Sequence, residues 1–131
     1  MAGPRVLLVD DDPEICEFLA VLLELEGFDP VRATRAEEAF ACAAGDRPAA
    51  MLIDVAMPEV DGLELCRRLR RSGFTGPLLV VSARPGEELP VRAAQAGANE
   101  FIRKPFDNAE LVERLRYWTR GCEAPAASPP G

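Results

Sequence analysis

Val6-Leu7-Leu8-Val9-Asp10-Asp11-Asp12-Pro13-Glu14 decides the fold. Four apolar residues break off into three carboxylates, the pattern of a buried strand at the point where it leaves a sheet. Asp12-Pro13-Glu14 then reads as N-cap, proline at the first helical position and acidic first turn. Ile15, Phe18, Leu19, Leu22 and Leu25 follow at helical spacing, and Gly27 supplies a residue able to end the helix. The opening unit is therefore strand, acidic turn, helix.

The alternation of strand and helix recurs four more times. A short strand is predicted at 28–32, and Pro30 within it places that strand at a sheet edge. Thr34-Arg35-Ala36-Glu37 reads as a capping box opening a second helix. Ala50-Met51-Leu52-Ile53 is a buried strand ending at Asp54, and Asp61 caps a third helix with Leu65, Cys66 and Leu69 inward. Pro77 to Val81 form a fourth strand ending at Ser82. Pro85, Gly86 and Pro90 disfavour a long fourth helix, so about two turns are expected over 90–96, closed by Gly97. Residues 100–103 form the fifth strand, ending at Lys104-Pro105. Asp107 caps the last helix, with Leu111, Leu115 and Trp118 on one face. From Arg120 onward the chain loses periodicity, which divides it into a domain over 1–119 and a disordered tail or linker stub over 120–131.

Such alternation requires right-handed crossovers, a parallel sheet and helices on both faces. The fold class is α/β, a doubly wound five-stranded (βα)5 parallel sheet. The order 2-1-3-4-5 puts the proline-containing strand at an edge and the apolar strands in the middle. In that order ligands bind at the carboxyl ends of the strands, beside strands 1 and 3.

The residues at those ends are Asp10 and Asp11, Asp54, Ser82 and Lys104. Carboxylates this close repel, by about 4 kcal/mol per pair at roughly 4 Å and an effective dielectric near 20. A positive partner must offset that. The chain has no histidine, and carboxylate oxygens alone suit a hard divalent cation, Mg²⁺ above all in a shallow, hydrated site. Lys104 supplies a second positive charge and is the one lysine among 15 basic residues. Asp54 in such surroundings can act as a nucleophile toward phosphorus, with Ser82 donating to a phosphoryl oxygen.

Composition narrows the function classes. The chain has 131 residues, 48% of them hydrophobic, and a net charge of -7. That suits one soluble domain and leaves no basic stripe for a nucleic-acid backbone. No apolar run approaches the roughly 20 residues of a membrane span. The start at Met1 lacks a secretory leader's pattern, and a cytoplasmic location is expected. Cys16, Cys42, Cys66 and Cys122 lack metal-ligand or C-x-x-C spacing and read as packing residues. Without histidine, Ser-His-Asp catalysis is excluded. Arg67, Arg68, Arg70 and Arg71 read as a solvated basic face, and Asp12 as a cap.

From about Arg5 to Thr119 the sequence resembles the receiver domain of bacterial two-component response regulators. The resemblance rests on Val6-Leu7-Leu8-Val9-Asp10-Asp11-Asp12, Asp54-Val55-Ala56-Met57-Pro58-Glu59-Val60-Asp61-Gly62, Val81-Ser82-Ala83-Arg84, Ala96-Gly97-Ala98 and Lys104-Pro105-Phe106, in order and at family spacing. It implies a flavodoxin-like receiver fold with Asp54 as phosphoacceptor. It also implies an acidic pair, Asp10 and Asp11, at the Mg²⁺, with Asp11, Asp54 and the Ala56 carbonyl as ligands. Lys104 would bridge to the phosphate, Ser82 would swing toward it, and Phe101 would follow as the aromatic switch. Lys104-Pro105 is expected to be cis. Ala56 and Arg84 fall at positions that tune dephosphorylation. The implied partners are a sensor histidine kinase or phosphotransfer protein and a downstream target or covalently linked effector domain, with no enzymatic turnover beyond self-phosphorylation and autodephosphorylation. The proline-rich start of the fourth helix departs from the family pattern and alters the helix 4–strand 5–helix 5 face. A haloacid-dehalogenase-type hydrolase is the competing class, but its acceptor motif belongs on the first strand and its cap needs more chain. A phosphorylation-independent pseudo-receiver is disfavoured by the intact acidic pair, acceptor and lysine.

Overall fold

The computed structural model describes residues 3–45, 47–56 and 61–123, with the side chains of 121–123 left aside. Five parallel strands, β1 (Arg5–Val9), β2 (Asp29–Ala33), β3 (Ala50–Asp54), β4 (Leu78–Ser82) and β5 (Glu100–Arg103), form one sheet in the order β2-β1-β3-β4-β5. Five helices alternate with them: α1 (Pro13–Leu25), α2 (Ala36–Ala44), α3 (Gly62–Arg71), α4 (Leu89–Gln95) and α5 (Asn108–Glu123). This is the expected architecture, with β2 at an edge and Pro30 in register with Val6.

Strand alternation makes two cores. Leu7, Val9, Met51, Ile53, Leu78 and Val80 point to one face and meet Ala39, Leu65, Cys66, Leu69, Leu89 and Ala93 from α2, α3 and α4. Val6, Leu8, Leu52, Leu79 and Val81 point to the other and meet Leu19, Leu23, Leu111 and Leu115 from α1 and α5. β1, β3 and β4 bury both faces, so their polar residues collect at the strand ends. The central strands end together, and that alignment places the site.

Local capping follows the sequence with one shift of frame. Asp12, Asp61 and Asp107 cap as expected, accepting from the N–H groups of Glu14, Leu63 and Ala109. For α2, Arg35 rather than Thr34 is the N-cap, and Glu38 rather than Glu37 reaches back. Glu38 Oε1 accepts from Thr34 N at 2.8 Å and Arg35 N at 3.1 Å. The third helical position lies one residue later because β2 runs through Ala33, one residue beyond its expected end. Phe28 is instead a buried residue packed on the α1–α5 face.

α4 has only seven residues, Leu89–Gln95, close to the expected 90–96, and Gly97 closes it at φ +105°. α5 continues to Glu123, four residues past the expected boundary at Thr119, because residues 120–123 contain no proline to interrupt it. The rest of the expected tail, 124–131, lies outside the described residues. Cys16 and Cys66 are buried free thiols and Cys42 is half-buried. Burial pushes the Cys66 thiol up to about 12, so it behaves as a core residue.

Candidate functional site

The site is built by strand ends. β1 stops at Val9, and the chain turns as Asp10 N donates to Ala33 O of β2 at 3.1 Å and Asp10 Oδ1 accepts from Asp12 N at 2.9 Å. Asp10 is thereby buried, while Asp11 stays exposed. β3 delivers Asp54 as its last residue, and Val55 N fixes the following peptide on Val81 O of β4 at 3.1 Å. β4 ends at Ser82, whose carbonyl accepts from Lys104 N at 2.8 Å and so sets where β5 releases the lysine. The Lys104–Pro105 peptide is cis, as expected.

These turns bring the predicted acidic groups together. Carboxylate oxygens of Asp10, Asp11 and Asp54 all lie within 4.8 Å of one another. Lys104 Nζ is 3.7 Å from Asp54 Oδ1 and 4.0 Å from Asp10 Oδ2. Burial pushes the Asp54 carboxyl above its usual range, opposed by Lys104 and by hydrogen bonds from the backbone of Ala56 and Val55. Burial also pushes Asp10 up, opposed mainly by the Asp12 N–H, while the Asp54 charge adds to the rise. One ammonium thus faces three carboxylates. Like charges at this spacing cost roughly 3–4 kcal/mol per pair at an effective dielectric near 20, so the pocket carries excess negative charge that a hard cation would relieve. An all-oxygen donor set with no histidine or thiolate fits Mg²⁺.

Close packing holds the end of β3 in place. Gly62 N donates to Val55 O at 2.8 Å. A side chain there would meet the Asp54 carbonyl oxygen at 2.4 Å and Val55 Cα at 2.8 Å. The start of α3 therefore rests directly on the peptide that carries Asp54, and only glycine permits it.

Ser82 is buried, and its Oγ accepts from Arg84 N at 2.9 Å. Phe101 is partly buried against the α2–α3–α4 core, with the Arg103 guanidinium 5.2 Å from its ring centre. Ala56 is exposed at the end of the turn after Asp54. Residues 57–60, between Asp54 and α3, lie outside the described residues.

Sequence reasoning passed over Arg103 and did not foresee the contacts of Arg84 and Arg70. Arg84 Nη1 lies 3.2 Å from Asp61 Oδ2 and ties the β4–α4 segment to the cap of α3. Arg103 bonds the carbonyls of Arg84 and Gly86. Residues 101 and 103 alternate to the same side of a strand, and that spacing could have flagged Arg103 over Phe101. Arg70 does not belong to a solvated face: it donates to the carbonyls of Gly97, Phe74 and Gly76 and to Asn99 Oδ1. Arg67, Arg68 and Arg71 do form an exposed run, shared by Glu64.

The doubly wound parallel sheet thus gathers an acidic trio and a lysine at the carboxyl ends of its strands, a donor set able to hold a hard cation. The response regulator receiver domain model matches residues 6–116, and the chain belongs to that family. It is 42% identical over 116 residues to response regulator MprA of Mycolicibacterium vanbaalenii, an alignment covering 88% of this chain and 50% of that protein. The chain thus spans about half the length of the curated relatives it matches. The Francisella response regulator 1452 receiver domain superposes with a TM-score of 0.86 at 28% identity, covering 92% of this chain and 99% of the other. The BeF3-activated N-terminal receiver domain of Klebsiella pneumoniae RstA gives 0.82 at 30% identity, covering 88% and 98%. The chain is a receiver domain of two-component signalling. Among the described residues no helix is long and apolar enough to cross a membrane.

Proposed function

We propose that this domain accepts a phosphoryl group on Asp54 in a Mg²⁺-dependent step, taking it from a sensor histidine kinase or phosphotransfer protein, and that the modified pocket changes how the domain binds its target. The observation that carries this reading is the convergence of Asp10, Asp11 and Asp54 within 4.8 Å, with Lys104 3.7 Å from the acceptor carboxylate.

In the step itself, a carboxylate oxygen of Asp54 forms a bond to phosphorus as the bond to the donor's leaving group breaks, giving an acyl phosphate. Most of the catalysis is positioning and neutralisation of charge. Asp10, Asp11, Asp54 and the Ala56 carbonyl would hold Mg²⁺, which when bound neutralises phosphoryl oxygens. Lys104 pairs with the acceptor in the resting pocket and is placed to pair with the phosphoryl group once the carboxylate charge moves onto it. The Ser82 hydroxyl donates a hydrogen bond to the same group, and Phe101 responds on the α2–α3–α4 face of β5. Hydrolysis of the acyl phosphate returns the domain to rest, so the protein serves as a switch rather than a turnover enzyme.

The partners follow from the same chemistry. An apolar groove of about 460 Å³ opens beside Lys104, lined by Ile15, Phe18, Leu19, Ala83 and Phe106, and offers a contact for a phosphodonor protein. Output comes from a separate target or an attached effector domain, in a cytoplasmic setting. With acetyl phosphate and Mg²⁺, intact-mass spectrometry should show one added phosphoryl group on the wild type and none on Asp54→Asn. Equal labelling of both would defeat the assignment, as would labelling of the wild type undiminished by EDTA.

A further inference from the structure

We propose that Arg103 is a positioning residue that latches the segment carrying Ser82 and so restrains the pocket from taking up a phosphoryl group. The proposal rests on the reading of Asp54 as acceptor and concerns how that site is regulated.

Arg103 is the register partner of Ser82 across β4 and β5. Its guanidinium forks over the chain beyond Ser82: Nη1 donates to Arg84 O at 2.9 Å and Nη2 to Gly86 O at 2.9 Å. Its guanidinium carbon lies over the Phe101 ring, 5.2 Å from the ring centre. The two acceptors lie two and four residues after Ser82. Gly86 has φ +134°, a conformation side-chain-bearing residues rarely adopt, so the path that aims its carbonyl at Arg103 depends on glycine.

The latch reaches Ser82 through one residue. Arg84 N donates to Ser82 Oγ at 2.9 Å, which fixes the serine rotamer. The carbonyl of the same Arg84 is held by Arg103, and its side chain by Asp61. Ser82 O is pinned by Lys104 N, so the main chain at Ser82 is fixed, while among the described residues the part beyond it is held by the side chains of Ser82, Asp61 and Arg103. Turning the Ser82 hydroxyl toward a group on Asp54 gives up the Arg84 N–H bond, and any movement of residues 83–86 that follows the hydroxyl to keep that bond works against the two Arg103 bonds. Both are charge-assisted bonds from a rigid planar fork, a geometry that a lysine cannot reproduce. Phe101 shares the latch, because its ring lies against the same guanidinium.

The experiment titrates beryllofluoride into the full chain with Mg²⁺ by calorimetry. Removing two exposed bonds whose net worth is near 1 kcal/mol should tighten binding about fivefold in Arg103→Met, with Arg103→Lys between. In a Ser82→Ala background the Arg103→Met change should have no effect, which a general loosening of the fold would not reproduce. Unchanged affinity in Arg103→Met, or a gain that persists without the serine hydroxyl, would overturn the latch. Failure of the folded wild type to bind beryllofluoride would overturn the reading of the pocket itself.

Discussion

Replacing Gly62 with alanine sets two effects against each other. Gly62 is the first residue of α3, and helix propensity alone favours alanine there by up to about 1 kcal/mol. Sterics oppose it. The new Cβ would lie 2.4 Å from Asp54 O, 2.8 Å from Val55 Cα and 3.0 Å from Asp54 C, all of them backbone atoms. Restoring ordinary contact needs a shift of about 1 Å between α3 and the end of β3. Backbone shifts of that kind cost roughly 1–3 kcal/mol, so sterics prevail, by about 1–2 kcal/mol. In urea, with a slope near 2 kcal/mol/M, the midpoint should fall by roughly 0.5–1 M. The same displacement moves Asp54 relative to Lys104, now 3.7 Å away. A misplacement of ~1 Å can lower the rate of a positioned reaction up to ~100-fold, so labelling by acetyl phosphate should slow about ten- to hundredfold. Gly45→Ala is the control. There the Cβ meets only Ala41 O, at 3.3 Å, far from the pocket, and the labelling rate should hold. A Gly62→Ala protein with wild-type midpoint and wild-type labelling would refute the reasoning.

Two further outcomes follow from the charges. Asp10 and Asp54 are both held above the ordinary carboxylate value of 3.8, so the folded state binds their protons more tightly than the unfolded chain does. Their contribution to stability therefore rises as pH falls through the raised values and levels off below 3.8. In EDTA, Asp54→Asn should melt above the wild type at pH 7, and the gap should narrow on acidification. A gap independent of pH, or a mutant that melts lower, would contradict this. Arg70→Lys should lose at least two of its four bonds to the chain around Phe74, Gly76, Gly97 and Asn99, at about 2–3 kcal/mol in urea unfolding; a midpoint equal to wild type would show that the clamp contributes nothing.

Element order, sheet class and the five polar strand-end groups were all legible in the residues. Apolar strands buried on both faces must end in polar groups, and the order 2-1-3-4-5 makes those ends adjacent. Local signals did well where one residue dominates, as with the Asp12, Asp61 and Asp107 caps. They slipped by a residue at α2, where Glu37 and Glu38 both suit a capping box and only the end of β2 chooses between them. They also ended α5 early, because loss of apolar periodicity marks the end of packing and not of helix.

The sequence by itself determined which atoms meet at the pocket, since strand periodicity and topology are set by hydrophobic pattern. Only the tertiary structure decided how they are held. Asp10 is buried and Asp11 exposed; Gly62 rests on the Asp54 peptide; Arg70 closes on carbonyls; Arg103 grips the chain beyond Ser82. Those contacts join residues far apart in the chain through long side chains and backbone carbonyls, and neither periodicity nor motif spacing encodes where a carbonyl will point.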